Sequence, residues 1–289
     1  MKSTLLLRTL FCVLPLAGLG LFVSPGWGAT SFREPVGLQL YSLRAEFTRN
    51  VPATLAKVRS YGITHVELAG TYNMSTTRFS QMLRANGLKA ISGHFPFERL
   101  RDGPEGVAFD AKNMGLTYAG CAWIPHDGAF DEKECRTAVE VFNRAGAVLA
   151  KKGIRLFYHV HGFEFQPYGP GTLLDLLMSE TNPKQVSYQM DVLWVVFPGQ
   201  DPVKLLEKYK GRWVLMHLKD LKKGVATGSL SGKTDVSNDV VLGTGQMNWP
   251  SILQAARKAG IKHYFIEDES PTAVDQIPQS KKFLETLKW

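Results

Sequence analysis

The chain has 289 residues, 44% of them hydrophobic and 21% charged, which excludes a disordered or collagen-like chain and supplies enough apolar material for a large core. Lys and Arg outnumber Asp and Glu by 34 to 26, a formal balance of +8. Over this length that is a solvated basic surface, far from the dense basic stripe of a nucleic-acid binder.

The first elements read as a leader. Lys2 and Arg8 precede an apolar run over 10–23 and then Ser24-Pro25-Gly26-Trp27-Gly28-Ala29. Basic, apolar and small-residue regions in that order predict a secretory signal peptide over 1–28, cleaved after Gly28 or Ala29, and an exported chain, periplasmic or secreted, over 29–289. Pro15, Gly18 and Gly20 interrupt the run, which argues against an uncleaved anchor, and no later stretch reaches the roughly 20 apolar residues of a membrane span. Cys12 departs with the leader. Cys121 and Cys135 remain, too few for a disulfide framework, and are expected as buried free thiols.

Short β-branched or aromatic runs then alternate with helical patterns. Candidate strands lie at 37–41, 65–68, 89–94, 117–121, 155–159, 186–190, 213–217 and 263–267, and amphipathic helices among them at 51–61, 78–86, 135–152 and 252–259. Gly62, Gly87, Gly153 and Gly260 each follow a helix and lead into the next strand, a repeated C-cap signal. Eight such units predict an α/β fold, a single (β/α)₈ TIM barrel with no second domain. A doubly wound sheet is the alternative, but no Gly-rich phosphate fingerprint follows the first strand. The one long irregular connection, 218–248, carries five glycines.

In such a barrel the chemistry sits at the C-terminal strand ends. Those ends carry Glu67, then His94, then His159 and His161 with Glu164, then Asp191, His217 and Glu267. Hydrophobic strands that end repeatedly in carboxylate and imidazole predict one divalent metal ion, Mn²⁺ first, with Mg²⁺, Co²⁺ or Zn²⁺ also suited to these ligands. Lys219 follows His217 by two residues and so shares its strand face.

Several longer segments surround these residues: Gly37-Leu38-Gln39-Leu40-Tyr41-Ser42-Leu43-Arg44, Val66-Glu67-Leu68-Ala69-Gly70, Tyr158-His159-Val160-His161-Gly162-Phe163-Glu164-Phe165, Met190-Asp191-Val192-Leu193-Trp194, His217-Leu218-Lys219-Asp220, and Leu242-Gly243-Thr244-Gly245 before Trp249-Pro250. With Phe265-Ile266-Glu267, and in this order, they resemble the sugar phosphate isomerase/epimerase group of the xylose-isomerase-like barrel superfamily over essentially the whole chain after the leader. The resemblance implies a metal quartet of Glu164, Asp191, His217 and Glu267, with Glu164 and Glu267 also moving the substrate's α-proton. The activity it implies is a carbohydrate isomerase or epimerase working through a metal-stabilised enediolate.

Further roles follow from position. His94, His161 and Lys219 are candidate acid, base or oxyanion groups, and Glu67, Trp123 and Trp194 are candidate substrate contacts. The ketose 3-epimerases of the family carry a His three residues after the metal-binding Asp and an Arg six after the metal-binding His, where this chain has Trp194 and Lys223. That departure, with export, keeps open β-elimination like that of the family's inosose dehydratases or 3-keto-glycoside lyases. A non-catalytic sugar-binding barrel and an abasic-site endonuclease rank lower. The expected partner is a small-molecule sugar or glycoside, not nucleic acid, and a homo-oligomer is compatible with the sequence.

Overall fold

The structure is a computed structural model that describes residue 1 and residues 32–289. The leader, with Cys12, falls outside the described residues. Eight strands form the barrel, in chain order: β1 (Val36–Gln39), β2 (His65–Leu68), β3 (Lys89–His94), β4 (Tyr118–Cys121), β5 (Arg155–His159), β6 (Val186–Asp191), β7 (Trp213–Leu218) and β8 (His263–Ile266). Every neighbouring pair is parallel and β8 closes onto β1, so the sheet is a closed barrel in sequence order. The main helices between and after the strands are α1 (Val51–Ser60), α2 (Thr76–Ala85), α3 (Pro104–Met114), α4 (Glu132–Ala150), α5 (Leu173–Glu180), α6 (Pro202–Lys208), α7 (Trp249–Ala259) and α8 (Ala273–Thr286).

The strand-to-helix alternation expected from sequence is therefore present, with shifts at the ends that have local causes. β1 stops at Gln39 because the Gln39 side chain accepts the Tyr41 N–H and turns the chain into a 3₁₀ helix at Leu40–Leu43. Helices α2, α4 and α7 begin two or three residues before their apolar periodicity, each behind a polar cap: Ser75, Asp131 in a reciprocal pair with Glu134, and Asn248. Gly62, Gly87, Gly153 and Gly260 all adopt positive φ, between 66° and 90°, the left-handed conformation that ends a helix without a Cβ clash.

Most of the core lies in one cluster that includes large side chains of both strands and helices, among them the fully covered Trp213 and Trp249. A smaller apolar cluster contains Phe157, Leu215 and Phe265. Side chains on a strand share a face every second residue, so Phe157 leads to His159, Leu215 to His217 and Lys219, and Phe265 to Glu267. Register completes the placement: Asp191 pairs with His217 across β6 and β7, and His217 with Phe265 across β7 and β8. Cys121 and Cys135 are buried free thiols, and burial pushes both up, Cys135 to about 12.

The long connection after β7 is ordered by one carboxylate. Asp220 accepts the backbone N–H of Gly243 at 2.8 Å, Gly245 at 3.3 Å and Met247 at 3.2 Å, and the Trp249 indole N–H at 2.8 Å. A Cβ on Gly245 would stand 2.1 Å from Asp220 Oδ1, which explains a glycine there. No helix among the described residues is long and apolar enough to cross a membrane.

Candidate active site

At the C-terminal ends of the strands lies a cavity of about 400 Å³ whose walls include His94, Trp123, His159, His161, Trp194, Lys219 and Glu267. Its geometry begins one layer deeper, at Glu67. This carboxylate has no solvent exposure and accepts from Gln39 Nε2 at 2.7 Å, Ser92 Oγ at 2.6 Å and Gln189 Nε2 at 2.8 Å. It also meets His217 Nε2 at 2.6 Å and His94 Nε2 at 3.2 Å. With all its neighbours supplied by the protein, Glu67 is not the substrate contact expected from sequence; it is a buried anchor for two histidines. Burial alone would raise its carboxyl, but His94 and His217 hold it well below the ordinary range.

The anchor fixes ring orientations above it. Because Gln189 gives its amide N–H to Glu67, its Oε1 is left to accept from His159 Nδ1 at 3.0 Å and His94 Nε2 at 3.2 Å. Neutral His159 then carries its lone pair on Nε2, and burial, reinforced by His217 and His161, keeps His159 neutral. His217 turns Nε2–H to Glu67 and aims Nδ1 at Glu267 Oε2, 3.0 Å away, and Asp191 Oδ2, 3.6 Å away.

His159, Asp191, His217 and Glu267 each offer a ligand atom, all within 4.8 Å of one another. The donor set tests well for a cation. Asp191 Oδ1 is tied to the N–H groups of Leu193 and Trp194, whereas Oδ2 is buried with no hydrogen-bond partner and lies on the cluster side. A buried carboxylate oxygen with no hydrogen bond, met only by the His217 ring nitrogen at 3.6 Å, is costly unless further positive charge meets it. Two carboxylates and two imidazoles suit a divalent ion, with the Glu67–His217 bond serving as the outer carboxylate that orients a ligand histidine.

Glu164 is the correction to the expected quartet. It is fully buried but turned away from the cluster: Oε2 accepts from Gly162 N at 2.7 Å and His161 N at 3.1 Å, and Oε1 accepts from the Tyr158 hydroxyl and from His161 N at 2.9 Å. Gly162, at φ +98°, turns the chain after β5 and folds Glu164 back into these donors. It stands outside the cluster of His159, Asp191, His217 and Glu267 and lines no part of the cavity, so in this geometry it offers no ligand atom there and faces no substrate. His159, seen in the sequence only as one more strand-end histidine, stands in the cluster in its place.

Lys219 lines the cavity and pairs with Glu269 Oε1 at 2.5 Å, Asp239 Oδ2 at 3.5 Å and Glu267 Oε2 at 3.5 Å. Burial would depress its ammonium, but these carboxylates lift it well above its usual value. In return Lys219 and His217 overcome the burial of Glu267 and hold it ionised. Glu269 and Asp239 were not anticipated, although Glu269 follows Glu267 at the two-residue spacing of a shared face. His161, burial and Lys219 together pushing it down to about 3, is neutral with an unpartnered Nδ1. It stacks on Trp194 at 4.6 Å and receives the edge of Trp123 at 5.2 Å, so the two expected sugar-contacting tryptophans line the cavity while bracing this ring.

Comparison with known proteins agrees with this barrel. Residues 55–289 match the family model described as xylose isomerase-like TIM barrel, and the chain belongs to that family. A sugar phosphate isomerase/epimerase from Parabacteroides distasonis, known as a crystal structure, superposes with a TM-score of 0.73 at 25% identity, covering 89% of this chain and 95% of that one. An inosose dehydratase of Geobacillus thermodenitrificans is 32% identical over 153 residues, which cover 50% of each protein. The chain thus spans about half the length of that relative. The rhizopine catabolism protein MocC of Rhizobium meliloti is 25% identical over 267 residues, 81% of this chain and 79% of that protein.

Proposed function

We propose that the protein is a divalent-metal-dependent enzyme that removes the proton α to a carbonyl of a keto-sugar or 3-keto-glycoside and expels the group β to it. The carrying observation is the position of Glu164: buried under Tyr158, His161 and Gly162, it leaves Glu267 as the only glutamate of the expected pair facing the cavity. Epimerisation by paired carboxylates needs a proton mover on each face of the carbon. Elimination needs one base on one face and a proton for the leaving oxygen. The similarity to a protein named inosose dehydratase supports the same reading.

Glu267, His217, Asp191 and His159 would hold the ion, Mn²⁺ in our reading. When bound, such an ion polarises the substrate carbonyl and neutralises charge that develops on its oxygen. Glu267, kept ionised by Lys219 and His217, takes the α-proton. The Lys219 ammonium, held 3.5 Å from Glu267 and next to the Trp194 ring, adds a fixed positive charge where the oxyanion grows. As C2–H breaks, the C1=C2 bond forms, C1–O breaks, and the leaving oxygen takes up a proton from His94, so an alcohol and an unsaturated keto-sugar result. Lys2, Arg8 and the apolar run over 10–23 support export as the setting.

The test is product analysis by NMR in D₂O with Mn²⁺, using a panel of keto-sugars and 3-keto-glycosides. Elimination predicts released alcohol and a C1=C2 alkene, both lost in Glu267→Gln. A C2 epimer carrying deuterium, with no alkene, would instead make the protein an epimerase.

A further inference from the structure

The walls of the main cavity run from buried to exposed. Glu267, Lys219 and His159 are buried, whereas Tyr41, Lys233 and Val236 on the same walls are exposed. Tyr41 and Val236 are two of the four large hydrophobic side chains exposed among the described residues, and both stand at this mouth. The proposed proton transfer occupies the buried end and gives the exposed rim no task. A volume of about 400 Å³ also lies in the range of roughly 300–1,000 Å³ of pockets that take drug-sized ligands, which leaves room beyond a single sugar ring.

The rim is held in place. Arg44, which is not on the cavity wall, gives Nη1–H to the Tyr41 carbonyl at 3.1 Å and Nη2–H to the Glu269 carbonyl at 3.1 Å, and its guanidinium lies 4.4 Å from the centre of the Tyr41 ring. One side chain thus ties Tyr41 to Glu269, another residue of the wall. Lys233 and Val236 belong to the connection after β7. There Gly232 packs so closely on the chain leaving β5 that a Cβ would stand 2.8 Å from the Phe163 ring and 3.3 Å from the His161 carbonyl oxygen. Lys219 is taken up by three carboxylates, but the Lys233 ammonium enters no ion pair among the described residues and is left to meet a ligand. Tyrosine and valine beside an ammonium, the Thr234 hydroxyl and the Glu269 carboxylate make an amphipathic surface. A pyranose ring is amphipathic in the same way, with C–H faces and a hydroxyl edge.

We infer that the rim binds a second sugar ring, so that the substrate is a 3-keto-disaccharide whose oxidised ring lies at the buried end and whose second sugar is the leaving group. The inference rests on the elimination reading and deepens it. The C1–O oxygen that takes up the proton from His94 becomes a hydroxyl of the released sugar, and the oxidised ring keeps the C1=C2 bond. An aromatic or alkyl leaving group would use Tyr41 and Val236 but set apolar atoms against Lys233, Thr234 and Glu269, at a cost in lost hydration.

The experiment compares 3-keto-maltose and 3-keto-cellobiose, each oxidised on the non-reducing ring, with the methyl and benzyl 3-keto-glucosides of matching anomeric configuration, on the Mn²⁺-loaded enzyme. At least one disaccharide is expected to exceed its methyl counterpart tenfold or more in kcat/KM, mainly through KM, and to exceed the benzyl glycoside. Tyr41→Ala and Lys233→Ala are each expected to cut that preference at least threefold. No preference for either disaccharide, a preference that survives both substitutions, or a benzyl glycoside favoured over both disaccharides overturns the inference and leaves elimination standing. If none of the keto-substrates turns over, the elimination reading fails and binding decides: maltose and cellobiose, which lack the keto group, are titrated calorimetrically against glucose. Tighter binding of a disaccharide, at least fivefold and reduced in Tyr41→Ala, supports the second-sugar subsite; equal binding, or none, overturns it.

Discussion

Glu67 and Glu164 are both buried carboxylates near the strand ends, yet their partners give them different work. Glu67 faces imidazoles; its replacement by Gln keeps the shape but removes the charge that orients His217 and His94. Loss of such an outer carboxylate typically costs about 10- to 100-fold in metal affinity. Equilibrium Mn²⁺ titration of Glu67→Gln is expected to show that weakening without loss of the folded far-ultraviolet spectrum. Glu164 faces backbone N–H groups and a phenol, and burial outweighs those bonds, so its carboxyl is pushed up to about 7. A folded value above the unfolded one means the native state binds more protons between the two. This stabilisation is complete below about pH 4 and is lost as pH rises through 7, on the order of 3 kcal/mol in all. Urea unfolding from pH 4 to pH 8 should therefore show a shallower fall in stability for Glu164→Gln than for the wild type; parallel curves would contradict this placement.

These two residues also mark where sequence was informative. That Asp191, His217 and Glu267 gather at the barrel mouth was legible, because each sits at or directly after its strand, where period two fixes its direction. Glu164 lies five residues beyond β5, past a left-handed glycine, and spacing cannot say where such a turn points a side chain. Glu67 is legible as a strand-end carboxylate, but its partners are not, since only the side chains around it reveal that both oxygens are already engaged.

At the scale of elements, the alternating strands and helices and the four glycine stops were legible because each is a local signal. The polar caps Ser75, Asp131 and Asn248 extend helices beyond their apolar pattern, so periodicity alone places the helix starts two or three residues too late. One glycine carries a constraint that no local signal announces. A Cβ on Gly120 in β4 would stand 1.7 Å from the Phe157 carbonyl oxygen on β5, so β4 and β5 could not keep their separation. Overpacking of this kind costs about 1–3 kcal/mol or more, and with backbone as the obstacle the upper end applies. Gly120→Ala is expected to lower the thermal midpoint by at least several degrees in calorimetry, whereas an unchanged midpoint would contradict the close approach.

For the whole molecule, a basic chain closes around an acidic centre. The surplus of Lys and Arg lies mostly on exposed positions, while Glu67, Glu164, Asp191, Asp239 and Glu267 are buried in or beside the barrel mouth. Lys219 and His217 supply positive charge there, and Asp191 Oδ2 remains without a hydrogen-bond partner. We propose that a divalent cation belongs at this point and that α-proton chemistry depends on it. The direct measurement is stepwise Mn²⁺ addition to chelator-stripped protein, reading bound metal and turnover of a 3-keto-glycoside on the same samples, for the wild type and Asp191→Asn. One ion per chain is expected, with turnover rising in proportion to occupancy and a large loss of both in Asp191→Asn. Full turnover by the stripped protein, or Mn²⁺ binding unaffected by Asp191→Asn, would contradict it.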